Sequence, residues 1–473
     1  MSEAPSPAAI PPPGGVEGNL RRFLLFRVLF NCRFYYPVYA ILFLDFGLTL
    51  KEFAILNAAW ALTIVVLEIP SGALADQFGR RALVVASGVF MVLEMLVLCL
   101  APVGGGTLLF WMFMANRILS GAAEAAASGA DEALAYDSIP AGSREPVWAR
   151  TTSKLITWQS VGFIVATVSG AIVYDPDRMT AIARFLGFDG TLDQSQTVKY
   201  PLYLTFLSAL ATLWVALRFV EPAPHPGHAP AAHALRFLAR VGAIFRRTVE
   251  AGGWILRSPA PLMLILIGVL FDSIVRLFYT VGSQYYRLLQ IDPEWYGWIG
   301  AAGSLVGIGT AVVVERLYAR FSAATNFGLA AILVLAGLAS LAFPIPYWGV
   351  VLIIPLWVAM RFTHYFLSQY LNRVTDSARR ATVLSFKGIA LNLGYFTTTL
   401  LFGVQTSYLS HRLFGTAEEN LAEPEQNRVF AEAISLWPWY FAATLAAAYL
   451  FMRLRYRQGL NAIIAPPAAA VTP

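Results

Sequence analysis

The sequence predicts an all-α polytopic membrane protein: twelve transmembrane helices in two pseudo-symmetric six-helix bundles. Three observations predict it. Of the 473 residues, 58% are apolar and 13% charged, where soluble domains average about 45–50% and about 25%. Apolar stretches of about 20 residues, the length that crosses a hydrocarbon core roughly 30 Å thick, recur twelve times. The second six stretches also repeat features of the first six at matched positions.

In chain order the spans fall at 22–46, 52–74, 82–102, 107–130, 149–174 and 201–220, then at 261–286, 295–317, 324–344, 346–371, 383–406 and 433–453. This sets the domain plan. Residues 1–20 form a Pro/Ala/Gly-rich tail without the basic and apolar regions of a signal peptide. Residues 21–220 and 259–455 are the two bundles, 221–258 is a linker, and 456–473 is a second tail. Within the linker Leu235, Leu238, Val241, Ile244 and Phe245 alternate with arginines at helical spacing. That pattern fits an amphipathic helix on the membrane surface or a partly ordered tether.

Basic residues set the orientation. Arg21, Arg22, Arg80, Arg81, Arg144, Arg150 and Lys154 fall on one side of the first half, and Arg257, Arg316, Arg320, Arg373, Arg380, Arg453 and Arg455 continue that side through the second. The opposite loops collect acids: Asp175, Asp177, Asp189, Asp193, Glu418, Glu419, Glu423 and Glu425. The expected placement is a cell inner membrane with both termini cytoplasmic. The net charge of +6 therefore reads as a topology signal and gives no sign of nucleic acid. Cys32 and Cys99 both sit in apolar spans, so neither a disulfide framework nor a cysteine metal site is expected. His225, His228 and His233 fall in the Pro/Ala-rich linker and read as solvated rather than metal-binding. No metal or cofactor is expected.

The internal repeat is the strongest sign of a transporter. Arg33-Phe-Tyr-Tyr36 in span 1 matches Arg276-Leu-Phe-Tyr279 in span 7, and at the same offset Ala58-Ala59 matches Ala301-Ala302. One residue off that offset, Arg117 of span 4 meets Arg361 of span 10. Duplicated six-helix halves around a midplane site are a recurrent transporter plan.

A charge at the bilayer centre costs at least a few kcal/mol, so each such residue is a site hypothesis. On span 4, Arg117, Gly121, Glu124, Ser128 and Asp131 share one helix face. Span 10 repeats the stripe with Arg361, Tyr365, Ser368 and Asn372, beside His364 and Gln369. In span 7, Asp272 and Arg276 stand at i,i+4; the pair can be purely structural or can switch with a proton. Span 1 offers Arg27, Asn31 and Tyr35 on one face, with Arg33 and Tyr36 on the next. Arg27 lies close enough to the basic end to snorkel, whereas Arg33 lies deeper and faces the cavity. Glu94 in span 3 has no partner legible in the sequence and is either a coupling site or a packed neutral acid. The deep arginines outnumber the deep acids narrowly, which favours an anionic or amphiphilic solute.

Between spans 2 and 3 runs Gly72-Ala-Leu-Ala-Asp76-Gln-Phe-Gly79-Arg80-Arg81. This charged turn resembles the loop 2–3 signature of the major facilitator superfamily, and the flanking Glu68-Ile-Pro70-Ser-Gly72 resembles a little-characterised bacterial subgroup. Arg117-Ile-Leu-Ser-Gly121 resembles the superfamily's Arg-x-x-Gln-Gly motif with Ser120 replacing the glutamine. The resemblance implies cavity-lining roles for spans 1, 4, 7 and 10. The expected cavity residues are thus Arg27, Asn31, Arg33, Tyr36, Arg117, Glu124, Asp272, Arg276, Tyr279, Arg361 and Tyr365. Gly72, Asp76, Gly79, Arg80 and Arg81, with Asp131 and Asp137 as acceptors, are the expected gate. Span 5 lacks the proline of the antiporter motif in Gly162–Gly170, so import, export and uniport all stay open.

The expected function is gradient-driven movement of a small solute, with a proton as a candidate coupling ion, by a monomer in the bilayer. The alternative is a non-transporting or lipid-scrambling protein on the same fold. No nucleotide-binding, His-Glu-x-x-His or Gly-x-Ser-x-Gly motif is present, so an enzyme is not expected.

Overall fold

A computed structural model describes residues 18–222, 252–375 and 377–464, with positions 242, 246 and 250 between them; the side chains at 69, 72–73, 76–77, 141, 377–379 and 381–382 fall outside that description. The tail before residue 18, most of the 221–258 linker with its amphipathic pattern, and the end of the chain beyond 464 lie outside the described residues, as do the side chains at Gly72 and Asp76.

Among the described residues the chain is helical throughout, and all twelve spans are present. Span 2 is Leu50–Phe78, span 3 Arg80–Leu100, span 4 Thr107–Ala127, span 5 Arg144–Tyr174 and span 6 Tyr200–Leu217. In the second half they are Pro259–Leu288, Tyr296–Arg320, Ala323–Leu341, Ile354–Val374, Ser377–Phe414 and Trp437–Tyr456. Nine helices among the described residues are long and apolar enough to cross a membrane on composition alone. Span 1 falls short because it is broken into two pieces of 13 and 7 residues, and spans 4 and 11 are diluted by the polar residues they carry, Asn116, Arg117 and Glu124 in span 4 and Lys387 and Asn392 in span 11.

Span 1 differs from the single helix expected over 22–46. It is two pieces, Asn19–Asn31 and Tyr39–Asp45, joined by an irregular turn and the short 3-10 segment Tyr36–Val38. Pro37 supplies no backbone donor there. The neighbouring helices satisfy what the break frees: the Phe34 N–H donates to Thr205 at 3.0 Å and Ser208 donates to the Leu29 carbonyl at 2.8 Å. Gly170 of span 5 makes room, since a Cβ there would stand 2.6 Å from the Phe34 carbonyl carbon. Of the further helices outside the expected spans, the two longest, Pro176–Phe185 and Glu423–Ser435, lie in the acidic loops.

The two halves meet along spans 1 and 7, 2 and 11, and 5 and 8. Among the described residues, the hydrogen bonds and ion pairs between halves lie at the acidic end and beside the cavity, where the Ala40 and Ile41 amides of span 1 donate to Ser283 of span 7 at 2.8 and 3.2 Å. Arg287 holds Asp45 at 2.7 and 2.8 Å, and Tyr174 donates to the same carboxylate. Arg178 pairs with Glu294. Buried Glu418 accepts the Leu50 and Lys51 amides at the N-terminus of span 2, at 2.6 and 3.3 Å. Spans 5 and 8 touch most closely at Gly297, where a Cβ would lie 2.6 Å from the Val168 Cα and overlap the Thr167 carbonyl. No such bond joins the halves at the basic end among the described residues, and Arg361 and His364, on inward faces of span 10, are exposed. Among the described residues the halves are therefore latched by polar contacts at the acidic end and carry no such latch at the basic end.

Candidate functional site: a central cavity between the halves

A cavity of about 390 Å³ lies between the halves. Spans 1, 2 and 5 supply Tyr36, Pro37, Tyr39, Asn57, Trp60, Phe163 and Thr167 to its wall. Spans 7, 8, 10 and 11 supply the rest, including Arg276, Tyr279, Tyr286, Gly303, Trp357, Arg361 and Tyr395. Ten aromatic side chains and two arginines line it, with no carboxylate, lysine or histidine among the lining residues.

Of the residues expected at the cavity, Tyr36, Arg276, Tyr279 and Arg361 line it. Arg33 does not. It turns into the first bundle, where it is 2% exposed and ion-paired to Glu94, with the Phe30 ring 5.5 Å away. The break in span 1 is what lets this side chain point toward span 3. Glu94, expected to lack a partner, has one. Arg117 is also sealed in the first half, 4% exposed, but it is held by Asn116 at 2.9 Å and by the Tyr39 hydroxyl at 2.6 Å rather than by Glu124. Tyr39 in turn donates to Asn57 at 2.5 Å, so Arg117 acts on the cavity through two residues of its wall.

In the second half the i,i+4 pair forms: Arg276 meets Asp272 at 2.5 Å. Asp272 is buried and also contacts His364 at 2.9 Å, while Arg276 donates to Asn392 at 2.9 Å and lies over the Tyr395 ring. Asp272 thus stands behind the wall and neutralises Arg276, which is part of it. Tyr365 packs on Tyr318 and lies outside the cavity lining. Arg27, Asn31 and Glu124 are likewise absent from the wall. Glu124 is half-buried, and its carboxylate has no hydrogen bond or ion pair among the described residues.

Repeat-related arginines have therefore diverged. Arg33 and Arg117 are locked inside one bundle, whereas their counterparts Arg276 and Arg361 face the cavity. Asn57, Trp60, Asn392 and Tyr395 are wall or supporting residues that the sequence reading passed over. The asparagines, polar groups inside apolar helices, were the available signal.

At the basic end Arg80 reaches Asp137 and the Ala133 carbonyl, and Arg27 meets Asp131 at 2.5 Å. Burial pushes the Asp131 carboxyl up to about 6, against the pull of Arg27. Arg81 goes instead to the Phe219 and Leu217 carbonyls, and Glu221 caps the span 3 N-terminus through the Arg80 and Arg81 amides. Gly79 carries a φ of +88° at this turn, a region that favours glycine. All these links stay within the first half, so in this conformation they clamp spans 1, 3, 4 and 6 to one another and do not bridge the halves.

Curated protein sequences give no match. Solved structures do. A bacterial homologue of the human lysosomal transporter Spinster, in an inward-facing and unoccupied conformation, aligns at TM-score 0.69 with 15% identity over 97% of this chain and all of that one. The nucleoside transporter NupG aligns at 0.63 with 11% identity over 91% and 98% of the two chains. The xylose transporter XylE from E. coli, inward open and partially occluded, aligns at 0.56 with 13% identity over 94% and 100%. At these identities the likeness is one of fold. The Major Facilitator Superfamily profile matches residues 23–399, and with the twelve-helix architecture and the cavity between the halves this chain belongs to that superfamily of membrane transporters.

Proposed function

We propose that this protein is a secondary transporter that moves a small anionic or amphiphilic solute by alternating access through the central cavity. The observation that carries this reading is a solute-sized chamber shared by both halves, latched at the acidic end by Arg287 with Asp45 and by Glu418, with no such latch among the described residues at the basic end. With the basic end cytoplasmic, the conformation is inward-open, and the protein works as a monomer in an inner membrane. Rocking of the halves would break the acidic-end contacts and close spans 4, 5, 10 and 11 at the other end.

Protons supply the gradient in this reading. Glu124, half-buried with no hydrogen bond or ion pair to its carboxylate among the described residues, is the acid best placed to exchange one; Asp272 is already held by Arg276 and His364. Proteoliposomes test both points. Wild-type protein is expected to show saturable uptake that accumulates solute under an imposed pH gradient. Glu124→Gln is expected to keep solute counterflow while losing gradient-driven accumulation. Non-saturable flux in the wild type would remove the transporter reading, and undiminished accumulation in the variant would remove Glu124 as the proton site.

A further inference from the structure

The charges around the cavity do not cancel. Arg276 is matched by Asp272 on its own helix. Arg361 is not: it is exposed to the cavity, and among the described residues it has neither an ion pair nor a hydrogen bond. Its guanidinium lies against Gly307 of span 8, where a Cβ would stand 2.9 Å from Nε and 3.1 Å from Nη2. The missing side chain at Gly307 is what leaves the arginine room to lie along the wall. An arginine in a membrane protein's interior normally finds a counter-charge, and here the cavity wall offers no carboxylate.

The rest of the chamber is built from ring faces, with Tyr36, Trp60, Tyr279, Tyr286, Trp357 and Tyr395 around it. Aromatic walls pack best on flat apolar bodies, in offset or edge-to-face contact. A guanidinium offers a planar fork that matches a carboxylate through two parallel hydrogen bonds. At about 390 Å³ the chamber stands at the small end of ligand pockets, which run from about 300 to 1,000 Å³.

Resting on the transporter reading above, we infer that the cargo is a planar aromatic or conjugated monoanion, its charge held by Arg361 and its body by the aromatic wall. Among the groups that line the cavity one positive charge is uncompensated and asks for one negative charge; Lys387, half-buried and facing Asp272, lies outside that lining. A cation meets two arginines and no acid, and a dianion leaves one charge unmatched.

Calorimetric titration of the purified full chain tests this with 1-naphthoate, its neutral isostere 1-naphthamide, the aliphatic anion octanoate and the cation 1-naphthylmethylammonium. The wild type is expected to bind 1-naphthoate at least tenfold more tightly than any of the other three. Arg361→Gln is expected to erase the preference of acid over amide while leaving amide binding unchanged, and Arg361→Lys, which keeps the charge and loses the fork, to fall between. Gly307→Ala meets only the flexible end of Arg361, so it should fold normally and weaken naphthoate alone. No naphthoate binding by the wild type, equal affinity for acid and amide, tighter binding of octanoate or the cation, or an unchanged preference in both Arg361→Gln and Gly307→Ala would overturn the inference. Counterflow in vesicles separates it from the broader reading. Saturable transport of neutral or cationic solutes without anion preference sinks the monoanion and leaves the transporter standing. Naphthoate binding of the expected pattern with no saturable flux of any solute sinks transport and leaves the anion site.

Discussion

Glu94→Leu is expected to cost about 3–5 kcal/mol of stability, the usual penalty for removing one partner of a buried ion pair. The variant leaves the Arg33 guanidinium 2% exposed inside the first bundle with no carboxylate to meet it. Arg33→Met should cost less, because the Glu94 carboxyl left behind can take up a proton, whereas an arginine stays charged. The double variant Arg33→Met/Glu94→Leu replaces the pair with apolar volume and should recover most of the loss, since such exchanges are often neutral or better. Chemical denaturation in detergent micelles would give the order: wild type and double variant together, then Arg33→Met, then Glu94→Leu. A double variant as unstable as Glu94→Leu would mean that the pair is not an isolated unit. The double variant also separates the two roles open to Glu94. If it folds and transports, the pair is scaffold; if it folds and does not transport, the pair takes part in coupling.

The second large effect is conformational. Gly297→Val places a side chain against the Thr167 carbonyl and the Val168 Cα, both of them backbone atoms that cannot swing aside. Overpacking typically costs about 1–3 kcal/mol and occasionally more. The collision lies between the halves and not within either one, so the cost falls on the closed acidic end and not on the fold. A shift of that size moves the balance between acidic-end-closed and acidic-end-open forms by roughly one to two orders of magnitude. Spin labels at the exposed positions Lys51 and Asn420, one in each half at that end, should report a longer distance in the variant and a sharp fall in uptake. Gly309→Ala on the same helix, where a Cβ meets nothing within 4 Å, is the control. An unchanged label distance in Gly297→Val would show that span 8 does not set the closure.

Hydrophobic length made the twelve spans legible, because a bilayer imposes it on the chain directly. The pair Asp272 and Arg276 was legible for a similar reason: i,i+4 spacing on one helix brings side chains together without any knowledge of tertiary structure. Arg33 with Glu94, and Arg117 with Tyr39, were not, because each contact depends on how one helix is rotated against another. The repeat matches Arg117 to Arg361 along the chain at one residue from its offset, yet the two side chains face different surroundings in the packed bundles. The break in span 1 hid in the same way. Pro37 announces a kink, but only the Thr205 and Ser208 hydroxyls of span 6 and the bare Gly170 of span 5 make an open turn affordable at that depth.

The two ion pairs that shut the acidic end differ in how much water reaches them. Arg178 is more than half exposed beside Glu294, whereas Arg287 and Asp45 are each about one-fifth exposed or less. Mobile ions screen exposed charges over about 8 Å at physiological ionic strength and screen partly buried ones much less. Added salt on the acidic side should therefore loosen the first latch and spare the second. The opening rate would then rise with ionic strength as the first latch loosens and keep a salt-insensitive step set by Arg287.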